Sequence, residues 1–297
     1  MKEGNFAEEL TPEQKVSIFL EALPYVQKFR EGIFVIKYGG AAMEDPLLVE
    51  KTLRDIVLLE AVGINPLIIH GGGEFINRAM KKKGLSPRFV NGIRVTDKEL
   101  ISLIEEVLSK EVGPRIAQKI NEYGAKAVFI PGQEIFWAER WKAVSEEGIP
   151  MDYGYVGTIV GADLQPLLKL LHGQFIAVVS PLARAANGDI YNVNADVAAS
   201  KMAKFIKAKK LIYLTNTNGI LADEKDPLSR ISVINRQQIS LLKEKGIIHG
   251  GMIPKVDSAL EALEAGVEKV HFLDGRMPHA LLLEIFTDKG IGTEIVL

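Results

Sequence analysis

The chain has 297 residues, 47% hydrophobic and 25% charged, which is enough for a sizeable core in one large or two moderate domains and excludes a disordered chain. Thirty-six basic residues against 38 acidic ones leave a net charge of −2 with no long single-sign run, so no broad field draws nucleic acid or an anionic membrane to the surface. The absence of cysteine excludes disulfides, thiolate metal sites and a cysteine nucleophile.

The first thirty residues contain Glu3, Glu8, Glu9, Glu13 and Glu21 and no continuous apolar segment, and no stretch approaches the ~20 apolar residues of a membrane span. The expectation is a cytoplasmic protein. Thr11-Pro12-Glu13-Gln14 marks a helix start: an N-cap hydroxyl, proline at N1, an acidic first turn and glutamine at N3. Val16, Phe19, Leu20, Leu23 and Val26 follow at helical spacing, and Pro24 implies a kink. The periodicity fits either an arm reaching away from the body or a helix packed on its own domain.

Ile33 to Ile36 and Asn65 to Ile69 read as strands that run into glycines, joined by a helix that opens at Asp45-Pro46 and stops at Gly63. The alternation returns with strands over 175–179, 211–214 and 270–273 and helices over 195–207, 254–265 and 280–286. Strands apolar throughout and separated by helices indicate an α/β fold with a mainly parallel sheet covered on both faces. Residues 131–161, with Trp137, Trp141, Tyr153 and Tyr155 but no helical period, read as a hairpin-bearing region. A lobe boundary falls near residue 180. The expected organisation is an N-terminal helix over 1–30, an N-lobe over 31–180 and a C-lobe over 181–297.

Three glycine-rich turns end apolar runs: Lys37-Tyr38-Gly39-Gly40, His70-Gly71-Gly72-Gly73, and Gly250-Gly251 leading to Lys255. Bare backbone N–H groups at a helix start attract anions, and two of the turns also carry a lysine. Phosphoryl transfer requires little covalent help, only alignment of the reactants and neutralisation of charge on the moving group. Lys37 and Lys255 suit the second task, and Asp196, opening a helix after Asn192-Val193-Asn194-Ala195, is the candidate counter-ion between them. Asp196 could also act as an N-cap. Arg94 carries a planar fork suited to a carboxylate, although it could equally pair with a surface acid. The five histidines lack metal-ligand spacing, and neither a Walker motif nor a G-x-S-x-G elbow is present.

Read in order, these motifs resemble the amino-acid kinase family. The segments from Val35 to Gly40, Phe89 to Asp97, Tyr191 to Asp196 and Gly250 to Val256, with the tail from Val270, resemble most the arginine-sensitive members that phosphorylate N-acetylglutamate. The resemblance implies an open three-layer αβα sandwich, N-acetylglutamate on the N-lobe, and ATP with Mg²⁺ on the C-lobe, the metal held mainly by the nucleotide. It implies that Lys37, Asp196 and Lys255 are catalytic, that Gly39, Gly40 and Gly251 serve the nucleotide, and that Gly72, Gly73, Arg94 and Asn192 bind the acceptor. It further implies an arginine effector site of Tyr25, His271, Glu284 and Gly292, and a homohexamer built as a trimer of dimers through the N-terminal helix.

Three departures from the family pattern stand out. Glu74-Phe75 replaces Pro-Gln after the triple glycine, Ile130 to Phe136 replaces a Ser-Gly-Lys-Asp-Gly hairpin, and Asn216 stands where Asp is typical. They leave room for a related kinase with another acceptor, or for a non-catalytic arginine-sensing relative. Retention of Lys37, Asp196 and Lys255 disfavours the latter.

Overall fold

The computed structural model describes residues 11–297 apart from Asn91, residues 145–149, Glu224, Pro227 and Lys289. Residues 1–10 of the expected N-terminal helix, Asn91 of the Asn-Gly-Ile-Arg segment and part of the 131–161 hairpin region therefore lie outside the described residues.

The central sheet contains β1 (Ile33–Tyr38), β2 (Asn65–His70), β3 (Ala127–Ile130), β4 (Ile176–Val179), β5 (Lys210–Thr215), β6 (Val233–Asn235), β7 (Lys269–Asp274) and β8 (Thr293–Val296), in the order β6-β8-β7-β5-β1-β2-β4-β3. Every pairing is parallel except β7 with β8, where His271 faces Glu294. The strands before residue 180 form one half of the sheet and those after it the other, so β1 and β5 meet at the seam.

Around the sheet lie α1 (Pro12–Phe29), α2 (Pro46–Ala61), α3 (Gly73–Lys82), α4 (Lys98–Glu106), α5 (Gly113–Glu122), α6 (Gln165–His172), α7 (Ala195–Ile206), α8 (Arg236–Glu244), α9 (Met252–Glu264) and α10 (Ala280–Ile285). Alternate residues of each strand go to opposite faces. Val35, Leu67, Ile69 and Val179 join the core formed with α7 and α9, while Phe34, Ile36, Ile68 and Val178 join that formed with α2, α4 and α5. Both faces are covered by helices, which is why the strand middles are apolar. The result is the three-layer αβα sandwich expected from the strand and helix alternation.

The 131–161 region holds the expected hairpin: Phe136–Arg140 pairs antiparallel with Gly157–Ala162, and Leu182–Arg184 and Ile190–Asn192 complete a second sheet. In place of the missing family hairpin, a short turn over Gly132–Glu134 leans on the end of β4. Gly132 N–H donates to Ser180 Oγ at 2.8 Å, and a Cβ on Gly132 would lie 2.0 Å from the Ser180 carbonyl oxygen.

Helix α1 begins as its sequence dictates. Thr11 accepts from Gln14 N–H and the Gln14 side chain accepts from Thr11 N–H, a closed capping box typically worth ~1 kcal/mol. The helix continues through Pro24 and is anchored by its last turn. There Phe29 packs edge-on against Phe34 and Tyr25 against Phe286. Val16, Phe19, Leu20 and Leu23 stay exposed, Phe19 at 78%. Burying such a side chain is worth roughly 1.5–3 kcal/mol, and among the described residues nothing covers this face. Among the described residues, the helix packs on its own domain through its last turn and leaves its earlier turns exposed.

Candidate active site

The carboxyl ends of β1 and β2 deliver two glycine turns side by side, and a Cβ on either Gly39 or Gly71 would point at the other glycine's Cα, 3.5 Å away. Gly40 sits at φ +63° with Asn216 Oδ1 only 2.6 Å from where a Cβ would be, so glycine is required there twice over. Asn216 Oδ1 accepts the Ala41 N–H at 3.0 Å, tying the loop after β5 to the turn after β1.

Between these turns lies a cavity of about 300 Å³, lined by Lys37, Gly39, Gly40, Gly71 to Gly73, Glu74, Phe75, Asn194, Asp196 and Asn216 among others. Lys37 Nζ lies 3.0 Å from Asp196 Oδ1, and Lys255 donates to Asp196 Oδ2. Burial alone would push the Asp196 carboxyl up, but the charges of Lys37 and then Lys255, with their hydrogen bonds, hold it below the usual carboxylate range. At an effective dielectric near 20 each contact is worth roughly 4 kcal/mol of attraction, enough to orient both ammonium groups.

The cap of α7 is Asn194, whose Oδ1 accepts from Asp196 N–H at 2.8 Å and from Val197 N–H. Asp196 is therefore not the N-cap, and its carboxylate is left for the lysines. Lys255 occupies the first turn of α9, which begins after Gly251, and a Cβ on Gly251 would meet nothing within 4 Å.

The triple-glycine turn is set from behind. A Cβ on Gly72 would lie 2.4 Å from Leu108 Cδ2 and 3.8 Å from Val112 Cγ2, both in a π-helical stretch, Val107–Val112, between α4 and α5. Wide π-type turns are rare and recur at functional sites. Gly73 has open space around its Cβ position.

Arg94 and Asn192 do not line this cavity. Arg94 is buried, with its Nη2 donating to Asn77 Oδ1 at 2.7 Å and its guanidinium over the Phe89 ring. Asn192 Nδ2 reaches Thr96 Oγ1 at 3.5 Å, and Thr96 Oγ1 donates to the Arg94 carbonyl at 3.0 Å. The two residues are thus joined to each other through Thr96.

A second cavity, of about 240 Å³, opens at the opposite ends of β5 and β7, and Tyr25, His271, Glu284 and Gly292 all line it. His271 Nδ1 lies 2.7 Å from Glu284 Oε1 and its Nε2 lies 2.8 Å from Lys210 Nζ. Glu284 Oε2 accepts from Ile291 and Gly292 N–H at 2.7 and 2.9 Å. Burial pushes Lys210 down to about 8 and lowers His271. Tyr25 OH donates to Asp288. Lys210, Asp288 and Glu294 complete the wall. The sequence reading did not single them out, since a lysine at a strand start carries no signal until the strand's neighbours are known.

The profile of the amino-acid kinase family matches residues 32–274, which includes Lys37, Asp196 and Lys255. The chain belongs to the amino-acid kinase family. Among curated relatives, a protein of Akkermansia muciniphila named acetylglutamate kinase is 49% identical over 95% of this chain and 96% of its own length. One of Aquifex aeolicus with the same name is 46% identical over 96% and 98%. Among solved structures, N-acetylglutamate synthase of Neisseria gonorrhoeae, in complex with coenzyme A and N-acetyl-glutamate, aligns with TM-score 0.82 at 29% identity. That alignment covers 95% of this chain and 63% of the synthase. The same synthase with coenzyme A and L-arginine aligns with TM-score 0.76 at 27% identity, over 95% of this chain and 65% of that one. For this amino-acid kinase family member no helix among the described residues is long and apolar enough to cross a membrane.

Proposed function

We propose that this chain transfers the terminal phosphoryl group of ATP to the γ-carboxylate of N-acetyl-L-glutamate, a step of arginine biosynthesis, and that arginine inhibits it. The observation that carries the reaction is the single carboxylate of Asp196 held between Lys37 and Lys255 at the wall of a glycine-lined cavity. The curated relatives' names supply the acceptor.

Lys37 and Lys255 hold positive charge where the transferred group gathers negative charge, and Asp196 keeps them apart and aimed. Gly39 and Gly40 offer backbone N–H groups to the phosphoryl oxygens; the left-handed Gly40 and its closeness to Asn216 leave a cradle that a side chain would fill. Gly251 opens α9 toward the nucleotide. Gly72, Gly73, Arg94 and Asn192 form the acceptor side, Arg94 taking the α-carboxylate. An acceptor carboxylate is already ionised at neutral pH, so no general base is needed. Among the described residues no three His, Asp or Glu side chains converge as a metal site, and we place Mg²⁺ on the nucleotide, where it neutralises phosphate charge.

The second cavity offers Glu284, Asp288 and Glu294 to a guanidinium and Lys210 to a carboxylate, which suits arginine. The exposed apolar face of α1, beside Tyr25, suits a second copy of the chain, and we read the assembly as a hexamer of three dimers in the cytoplasm. Residues 31–180 serve as the acceptor lobe and 181–297 as the ATP lobe. The test is ADP release with N-acetylglutamate, glutamate and N-acetylaminoadipate, with and without arginine. Turnover of N-acetylglutamate alone, suppressed by arginine, is the expected result. Preference for another acceptor refutes the substrate, and arginine binding without any turnover refutes the enzyme.

A further inference from the structure

Arg94 is already engaged by one face of α3. Its Nη2 donates to Asn77 Oδ1 at 2.7 Å and its Nη1 points at Met80 Sδ at 3.2 Å. Asn77 in turn donates from Nδ2 to Glu74 Oε1 at 3.2 Å. Glu74, Asn77 and Met80 follow at three-residue spacing, so they stand above one another on a single helical face. That helix starts at Gly73, and Glu74 itself lines the catalytic cavity.

The chemistry of this ladder allows one arrangement. Arginine only donates and a carboxylate only accepts, so the Asn77 amide must turn Oδ1 to Arg94 and Nδ2 to Glu74. The two partners of the guanidinium differ in strength: an amide oxygen is a good acceptor, a thioether sulfur a weak one. Of the two, Met80 at Nη1 is therefore the partner that a carboxylate would displace more readily, leaving Nη2 with Asn77. Burial lowers the Arg94 pKa, and the negative charge of Glu74 counteracts that effect.

We propose that Asn77 is the positioning residue for Arg94 and that Glu74, at the far end of the same amide, sets the charge selectivity of the acceptor site. The inference rests on the acceptor reading given above. The site favours an acceptor with one carboxylate at Arg94 and an uncharged or hydrogen-bond-donating group toward Glu74, such as the amide N–H of an N-acylated amino acid, and rejects one with a further carboxylate on that side.

Steady-state kinetics with N-acetylglutamate and ATP test this on Asn77→Ala, Asn77→Asp and Glu74→Gln, each checked for an unchanged thermal midpoint. Loss of a charge-assisted hydrogen bond is expected to raise the acceptor KM about tenfold in Asn77→Ala, with kcat and the ATP KM near wild type. Asn77→Asp keeps an acceptor for Arg94 but occupies it with a competing carboxylate, so its acceptor KM is expected to rise further at low salt. Glu74→Gln is expected to lower the KM of N-succinylglutamate, whose acyl group carries a further carboxylate, several-fold relative to that of N-acetylglutamate at low ionic strength, the gain fading as salt screens the charge. An acceptor KM unmoved in Asn77→Ala, or an ATP KM rising in step, overturns the positioning role; a ratio of the two acceptors' KM values that is unchanged in Glu74→Gln overturns the selectivity. Wild-type protein inactive with every acceptor refutes the functional reading instead, and the same ordering of variants is then expected, or refuted, in calorimetric binding of N-acetylglutamate.

Discussion

Lys37 Nζ lies 3.0 Å from Asp196 Oδ1, across the seam where the two halves of the sheet meet. Lys37 is carried by β1, in the half formed before residue 180; Asp196 is on α7, which follows that boundary. The ion pair forms only when both halves are docked, and Lys255 on α9 completes it from the same side as Asp196.

Replacing Lys255 with Met removes one of two ammonium groups that the fold aims at the cleft. We expect kcat to fall on the order of 10²–10³-fold with the thermal midpoint little changed. Near-normal turnover in a quenched-flow or coupled assay removes Lys255 from the site.

Space behind the triple glycine should be the limiting quantity at that turn. Gly72→Ala places a methyl 2.4 Å from Leu108 Cδ2, and overpacking of this kind costs about 1–3 kcal/mol. A raised acceptor KM is expected, and Leu108→Ala in the same chain should relieve it. If the double variant is as impaired as the single one, Leu108 is not what sets the turn.

Lys210 gives a pH dependence whose sign is fixed. Burial holds its folded pKa at about 8, below the ordinary lysine value of about 10.5, so between these values the unfolded chain binds more protons. Stability relative to a Lys210→Met variant should therefore rise as the pH goes from about 8 to about 10. Denaturant midpoints that stay parallel for the two proteins across this window would falsify the assignment.

Glu284 accepts from two backbone N–H groups of the 290–292 turn and from His271. Glu284→Gln keeps the size but offers one acceptor oxygen instead of two. Weaker arginine inhibition with unchanged arginine-free turnover is the expected outcome, read from inhibition curves; an identical curve separates this turn from the effector.

Removing residues 1–28 deletes most of α1 together with Tyr25, and leaves Phe34 without its Phe29-proximal turn. A smaller assembly by light scattering and weakened arginine inhibition are both expected. A truncated protein of unchanged size refutes the assembly role of the exposed face of α1.

Local chemistry was legible wherever neighbours in the chain decide it. Thr11 with Gln14 and Asp45 with the backbone of Leu47 and Leu48 form the expected caps, because each contact spans three residues or fewer. Lys37 and Lys255 could be nominated because each accompanies a glycine turn that ends an apolar run, and Asp196 because an acid opening a helix could serve as the counter-ion between them. Asn194 rather than Asp196 caps α7, a distinction between neighbouring side chains that composition does not make. The antiparallel entry of β8 was equally hidden, since a four-residue strand, Thr-Glu-Ile-Val, carries no mark of its direction.

The sequence by itself determined the alternation of strands and helices, the burial of both sheet faces, and glycine where backbone must be bare, since these follow from periodicity and from what a Cβ would obstruct. Only the tertiary structure decided which distant groups share a carboxylate, that Arg94 is held by Asn77, and that Lys210 is buried beside His271. Those are contacts between segments remote in the chain, and they exist because strand order and packing bring them together, which no local pattern encodes.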